Sequence, residues 1–119
     1  MKKLTVAAPS DNGKKNPPLT IEVADSFWAR FKGLMLRKNL PENTGLLISP
    51  CNSIHMCFMR FRLDIVFLTE NWEIVKISRR VLPWVGFALC PRAHMVIELP
   101  SGTADKYALA VGQKFEMMK

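Results

Sequence analysis

The chain has 119 residues, 49% of them hydrophobic, and its 17 lysines and arginines against 10 aspartates and glutamates give a net charge of +7. That length fits one domain with one real core, and that apolar share excludes a disordered chain. No apolar run approaches the roughly 18–20 residues that a membrane-crossing helix needs, and the charge favours anionic partners without naming one.

Residues 1–18 are expected to form a flexible basic tail carrying Lys2, Lys3, Lys14 and Lys15, with a short edge strand at Leu4–Ala7 as its one ordered piece. The basic opening is that of a signal peptide, but its apolar segment is too short and Ser10-Asp11-Asn12-Gly13 breaks it. Cys51, Cys57 and Cys90 make an odd set in apolar surroundings, which suits a reducing compartment better than a disulfide framework. A cytoplasmic location is the resulting expectation.

Leu19-Thr20-Ile21-Glu22-Val23-Ala24 alternates apolar and polar residues and predicts the first firm strand. Asp25 or Ser26 can then cap a helix. At helical spacing Phe27, Trp28, Phe31, Leu34 and Met35 share one apolar stripe. Arg30 and Arg37 lie on its flank, roughly 10 Å apart along the axis. The helix is expected to stop near Arg37 or Lys38, before Leu40-Pro41.

From Gly45 onward the pattern is β. Strands are predicted at Leu46–Ser49, Ser53–Phe58, Leu63–Thr69, Trp72–Ser78 and His94–Leu99, with Glu70-Asn71 as a two-residue hairpin loop. Arg79 to Arg92, with Pro83, Gly86 and Pro91, reads as a long connection, and Lys114–Met118 as a closing strand. Residues 19–119 thus form one mainly-β domain: a small barrel or sandwich of short, mostly antiparallel strands with one helix from the N-terminal half packed on it.

Asp64 stands out within Leu63-Asp64-Ile65-Val66-Phe67-Leu68. Alternation puts Asp64, Val66 and Leu68 on one face and Leu63, Ile65 and Phe67 on the other, so the strand should lie between two packed layers. A carboxylate there requires a cation or several hydrogen-bond donors. The scaffold reading pairs it with Arg60, Arg62, Arg30 or Arg37. The functional reading places it in a polar pocket with His55 and an arginine.

Arg30-Phe31-Lys32-Gly33-Leu34-Met35-Leu36-Arg37, Gly45-Leu46-Leu47-Ile48, the segment from Ser53 to Leu68, and Glu98-Leu99-Pro100-Ser101-Gly102 occur in that order. As a set they are similar to the motifs of a small prokaryotic family catalogued as domain of unknown function 192. The resemblance runs from about Leu19 to the C-terminus and implies a compact mainly-β domain with a helix. It implies no established activity, and Cys51 and Cys57 lie outside its pattern.

Other constellations compete with plainer readings. Cys51-x-x-x-His55 and Cys90-x-x-x-His94 share a spacing, and Cys57 and Met59 follow His55, so a soft metal is conceivable. Buried cysteines and a hydrogen-bonded histidine explain the same residues better. A cysteine nucleophile with a histidine base lacks an evident third member. Trp28, Trp72, Trp84 and Phe87, with Arg79, Arg80 and Arg92, raise nucleic-acid binding, against the plainer reading of a solvated basic surface.

The favoured expectation is a binding or interaction module for a small anionic ligand or a partner protein, with no cofactor. Arg30, Arg37 and Arg60 would hold a carboxylate or phosphate, His55 would donate a hydrogen bond and Asp64 would orient an arginine. A nucleic-acid module, or an enzyme with a polar His/Asp/Arg pocket, is the alternative.

Overall fold

A computed structural model describes residues 2–9, 16–24, 40–51, 53–55 and 61–117. The strands are β1 (Lys2–Ala7), β2 (Leu19–Ala24), β3 (Thr44–Ile48), β4 (Ser53–His55), β5 (Leu63–Leu68), β6 (Ile74–Val81), β7 (Phe87–Leu89), β8 (Met95–Pro100) and β9 (Glu116–Met117). One short helix, α1 (Thr103–Lys106), occurs among the described residues. The helix expected from Asp25 or Ser26 to Lys38 lies outside them. Among the described residues no helix is long and apolar enough to cross a membrane.

Seven strands form one sheet in the order β6-β5-β8-β3-β2-β1-β9, and β4 and β7 form a two-stranded ribbon. Every pairing is antiparallel except β2 with β3. A parallel pair requires a crossover too long for a hairpin turn, and residues 25–43 supply that length. The short edge strand expected at Leu4–Ala7 within a flexible tail is the longer β1, which pairs along β2 and through Val6 and Ala7 with β9.

The expected closure into a barrel or division into a sandwich does not occur. The sheet stays open because β9 has only two residues, too few to pair along β6. An isolated bridge, Glu73 to Lys114, links the two margins, beside main-chain bonds from Phe115 N–H to the Trp72 carbonyl, from Ile74 N–H to the Gln113 carbonyl and from Gly112 N–H to the Ile74 carbonyl.

Two apolar layers cover the sheet. On one face Val66 and Leu68 pack with Val6, Ile21, Ile97, Tyr107 and Phe115. On the other, Leu63, Ile65 and Phe67 pack with Leu46, Ile48, Ala88, Cys90 and Val96. All six residues of β5 are buried, Asp64 among five apolar neighbours. The β5–β6 loop is one residue longer than the two-residue loop expected. Trp72, at φ 67°, follows Glu70 and Asn71, while Trp72 N–H donates to the Thr69 carbonyl and Thr69 N–H to the Glu73 carbonyl. A turn followed by a left-handed residue absorbs the strand twist in this way.

Because both faces of β5 are core, Phe67→Ala is expected to cost about 3–5 kcal/mol and Val66→Ala about 1–3 kcal/mol in denaturant unfolding. A loss near zero at either position would mean that its face is solvated.

Candidate functional site

Asp64 sits in β5 between β6 and β8, 1% exposed. Its Oδ1 accepts the Arg80 main-chain N–H at 2.9 Å. Its Oδ2 accepts the N–H groups of Gly102 at 3.1 Å and Ala104 at 2.8 Å. Three main-chain donors meet the charge, and no guanidinium among the described residues is bonded to it.

Local backbone geometry explains each donor. Between the pairs Leu63↔Val81 and Ile65↔Ser78, β6 carries one residue more than β5, a bulge opposite Asp64. Arg80 lies within it at φ 51°, a left-handed conformation costing roughly 1–2 kcal/mol for a residue with a side chain. A hydrogen bond to a charged acceptor contributes roughly 1.5–3 kcal/mol, enough to offset it. Gly102 is the N-cap of α1 at φ 93° and has no side chain with which to cap the helix. Asp64 supplies that oxygen from 38 residues away.

The Arg79 and Arg80 side chains leave Asp64 and meet on Asp105 of α1. Arg79 Nε is 3.0 Å from Oδ1 and Arg80 Nη2 is 3.2 Å from Oδ2. Arg79 Nη2 also donates to the Leu109 carbonyl at 3.2 Å. All three charged groups are exposed, so each ion pair contributes about 1 kcal/mol or less. A second polar cluster ties the other side of α1 to the start of β3. Lys106 Nζ pairs with Glu42 and donates to Asn43 Oδ1, which also accepts the Tyr107 hydroxyl at 2.7 Å. The hydrogen bond and charge of Lys106 hold the Glu42 carboxyl below its usual range. Burial, and then the Glu42 charge, push the Tyr107 phenol above 10.0.

Glu98 is a second buried carboxylate, 4% exposed. In register it stands opposite Leu46 on β3 and Ile65 on β5, in the middle of the sheet. Sequence reasoning singled out Asp64 and passed over Glu98. The same signal marked both: an ionisable residue in a strand whose neighbours on each side are apolar.

Of the five residues expected to form the anion site, two lie among the described residues. Asp64 is in the main sheet, whereas His55 is in the ribbon, opposite Phe87. Arg30, Arg37 and Arg60 lie outside the described residues. An open cleft of about 220 Å³ is lined by Pro50, Cys51, Ala93 and His94. Cys51 Sγ donates to the Ser53 carbonyl at 3.1 Å, and Cys51 N–H donates to the His94 carbonyl at 2.8 Å. Cys90 is buried in the second apolar layer and His94 is exposed, so that spaced pair does not converge. No three His, Cys, Asp or Glu side chains among the described residues are grouped as metal ligands.

The mainly-β fold of this chain is shared with two solved structures. One, from Sinorhizobium meliloti 1021 and provisionally described as a transcription regulator, superposes with a TM-score of 0.88 over 98% of this chain and 94% of that one, at 23% identity. The other, a protein of unknown function from Novosphingobium aromaticivorans, gives 0.83 over 96% and 84%, at 21% identity. The chain matches the model of DUF192, described as an uncharacterized ACR, over residues 8–117 and belongs to that family. Its relatives include a UPF0127 protein of Pyrococcus furiosus, 33% identical over 88% of this chain and 94% of that protein. A UPF0127 protein of Thermococcus sibiricus is 34% identical over 81% of this chain, a match that spans 64% of the relative's own length.

Asp64→Asn replaces one acceptor oxygen with an amide that opposes N–H donors, at an expected cost of roughly 3 kcal/mol in denaturant unfolding. Arg79→Ala should cost about 1 kcal/mol or less by the same measurement. Equal losses would show that Asp64 is no anchor. An absorbance titration of Tyr107, the chain's one tyrosine, should give a pKa above 10.0 that Glu42→Gln lowers. Because the folded value is the raised one, the linked stability is complete below the ordinary tyrosine value and is lost as pH rises through the folded value.

Proposed function

We propose that the chain is a binding module for a small anionic ligand, with His55, Arg30, Arg37 and Arg60 as the groups that meet the anion and Asp64 as the anchor of the frame around them. The observation that supports this reading is the set of main-chain donors on Asp64. Its two oxygens are occupied by three main-chain N–H groups, and no guanidinium among the described residues reaches it. Asp64 thus has donors that do not depend on these arginines, and in this reading their charge meets an external anion. Carboxylate and phosphate are the ligand chemistries that guanidinium forks fit best.

A second reading is nucleic-acid binding, favoured by the exposed Trp84 near Arg79, Arg80 and Arg92. The description carried by the Sinorhizobium protein points the same way, at an identity that supports the fold alone. Asp105 counters it by holding both Arg79 and Arg80.

Calorimetric titration with inorganic phosphate and with a short dicarboxylate at low salt tests the first reading. Binding should weaken by about tenfold or more in Arg30→Gln, Arg37→Gln or Arg60→Gln, as expected for lost charge-assisted hydrogen bonds. No binding by the native chain, or unchanged affinity in all three variants, would overturn it. Affinity for single-stranded oligonucleotide that falls steeply with salt would favour the second reading.

A further inference from the structure

The connection from β6 to β7 turns outward a run of apolar side chains that the two core layers do not use. Val85 is 80% exposed, Phe87 64% and Trp84 53%, with Leu82 and Leu89 above 40%. Phe87 and Leu89 are exposed on β7 while Ala88 between them is buried, so the strand is apolar on both of its faces. The turn beneath is rigid. Val85 N–H donates to the Pro83 carbonyl at 2.8 Å and Gly86 N–H to the Leu82 carbonyl at 3.0 Å. A Cβ on Gly86 would stand 2.3 Å from that carbonyl oxygen, so glycine is required for the close approach.

The charge around this ridge has one sign. From Ile74 to Ile97 the chain carries Lys76, Arg79, Arg80 and Arg92 and no acidic residue. Asp105 compensates Arg79 and Arg80. Lys76 and Arg92 meet no acidic side chain among the described residues, and Lys76 Nζ lies 2.7 Å from the Leu89 carbonyl, at the foot of the ridge.

We infer that the ridge from Leu82 to Leu89 docks on an anionic lipid surface, with Trp84, Val85 and Phe87 entering the headgroup boundary and Lys76 and Arg92 facing lipid phosphates. Apolar burial combined with attraction to anionic headgroups is the chemistry of peripheral membrane attachment, and Trp is favoured at that boundary. A single eight-residue projection falls short of the roughly 800 Å² that a stable protein partner buries on each side. A nucleic-acid surface would place stacking rings outermost, whereas the most exposed member is Val85, which has no ring. Phe87 stands opposite His55 in the β4–β7 ribbon, so this surface adjoins one residue of the proposed anion site.

The test is co-sedimentation of the full chain with vesicles of phosphatidylcholine alone and of phosphatidylcholine mixed with phosphatidylglycerol, at low salt. The native chain should sediment with the mixed vesicles and bind the neutral ones about tenfold more weakly or less. The double variant Val85→Ser, Phe87→Ser should lose about tenfold or more of that binding with an unchanged melting temperature, because both side chains stand in solvent. Val111→Ser, at an exposed apolar position outside the ridge, should bind like the native chain. Val85→Ser alone, outside the β4–β7 pairing, should weaken vesicle binding and leave phosphate binding unaffected, which separates this inference from the anion-site reading. Failure to sediment with the mixed vesicles would overturn it, as would equal binding by the double variant. Ridge-dependent binding of single-stranded oligonucleotide without vesicle binding would overturn it in favour of nucleic acid.

Discussion

The carboxylate of Asp64 gathers three main-chain N–H groups that the β-ladder cannot pair: one from the bulge of β6, one from the turn after β8 and one from the first turn of α1. Each of those segments departs from regular structure. Arg80 is in the left-handed region, Gly102 is at φ 93°, and α1 is only four residues long. A helix so short has little stability of its own, since nucleation is costly and one turn recovers few hydrogen bonds. It persists because Asp64 caps it from below and because Ala104 and Tyr107 enter the first apolar layer. The buried charge costs desolvation, and the three donors convert that cost into a fixed point.

The remainder of the fold follows from a sheet with oil on both sides. β5 and β8 run through its middle, so their alternate residues serve two different cores. This is why polar groups on these strands are few and consequential. Asp64 lies toward one end of β5, where turns supply donors. Glu98 lies midway along the sheet, between Leu46 and Ile65, on the face that also carries Ala88 and Cys90. Where the sheet ends, the chain changes character. The β6–β7 connection leaves the double layer with its apolar residues still outward, and the polar clusters around Asp105 and Glu42 fasten α1 without adding core.

Much of this was legible in the residues. The alternation in Leu19–Ala24 marked β2 to the residue, and the unbroken apolar run after Asp64 announced a strand buried on both faces. The need of Asp64 for a partner was equally plain. Its choice of main-chain donors was not, because they depend on a bulge and a turn brought together by β5 pairing with both β6 and β8. Propensity carries no information about such a meeting. Barrel closure was over-read for a related reason: the pattern of Lys114–Met118 suggests a strand, but how many of its residues pair is decided by the path after Gly112. The arginines of the proposed site are visible in sequence as charge, and spacing along the chain carries no information about which of them meet.

Amide hydrogen exchange read residue by residue tests the central claim most directly. If Asp64 is the fixed point, the N–H groups of Arg80, Gly102 and Ala104 will be protected on the scale of Val66 and Ile97 in the middle of the sheet, although all three sit in irregular backbone. Exchange of those three at the rate of the exposed turn residue Val111 would show that the carboxylate does not hold them, and the account of the fold built on it would fail.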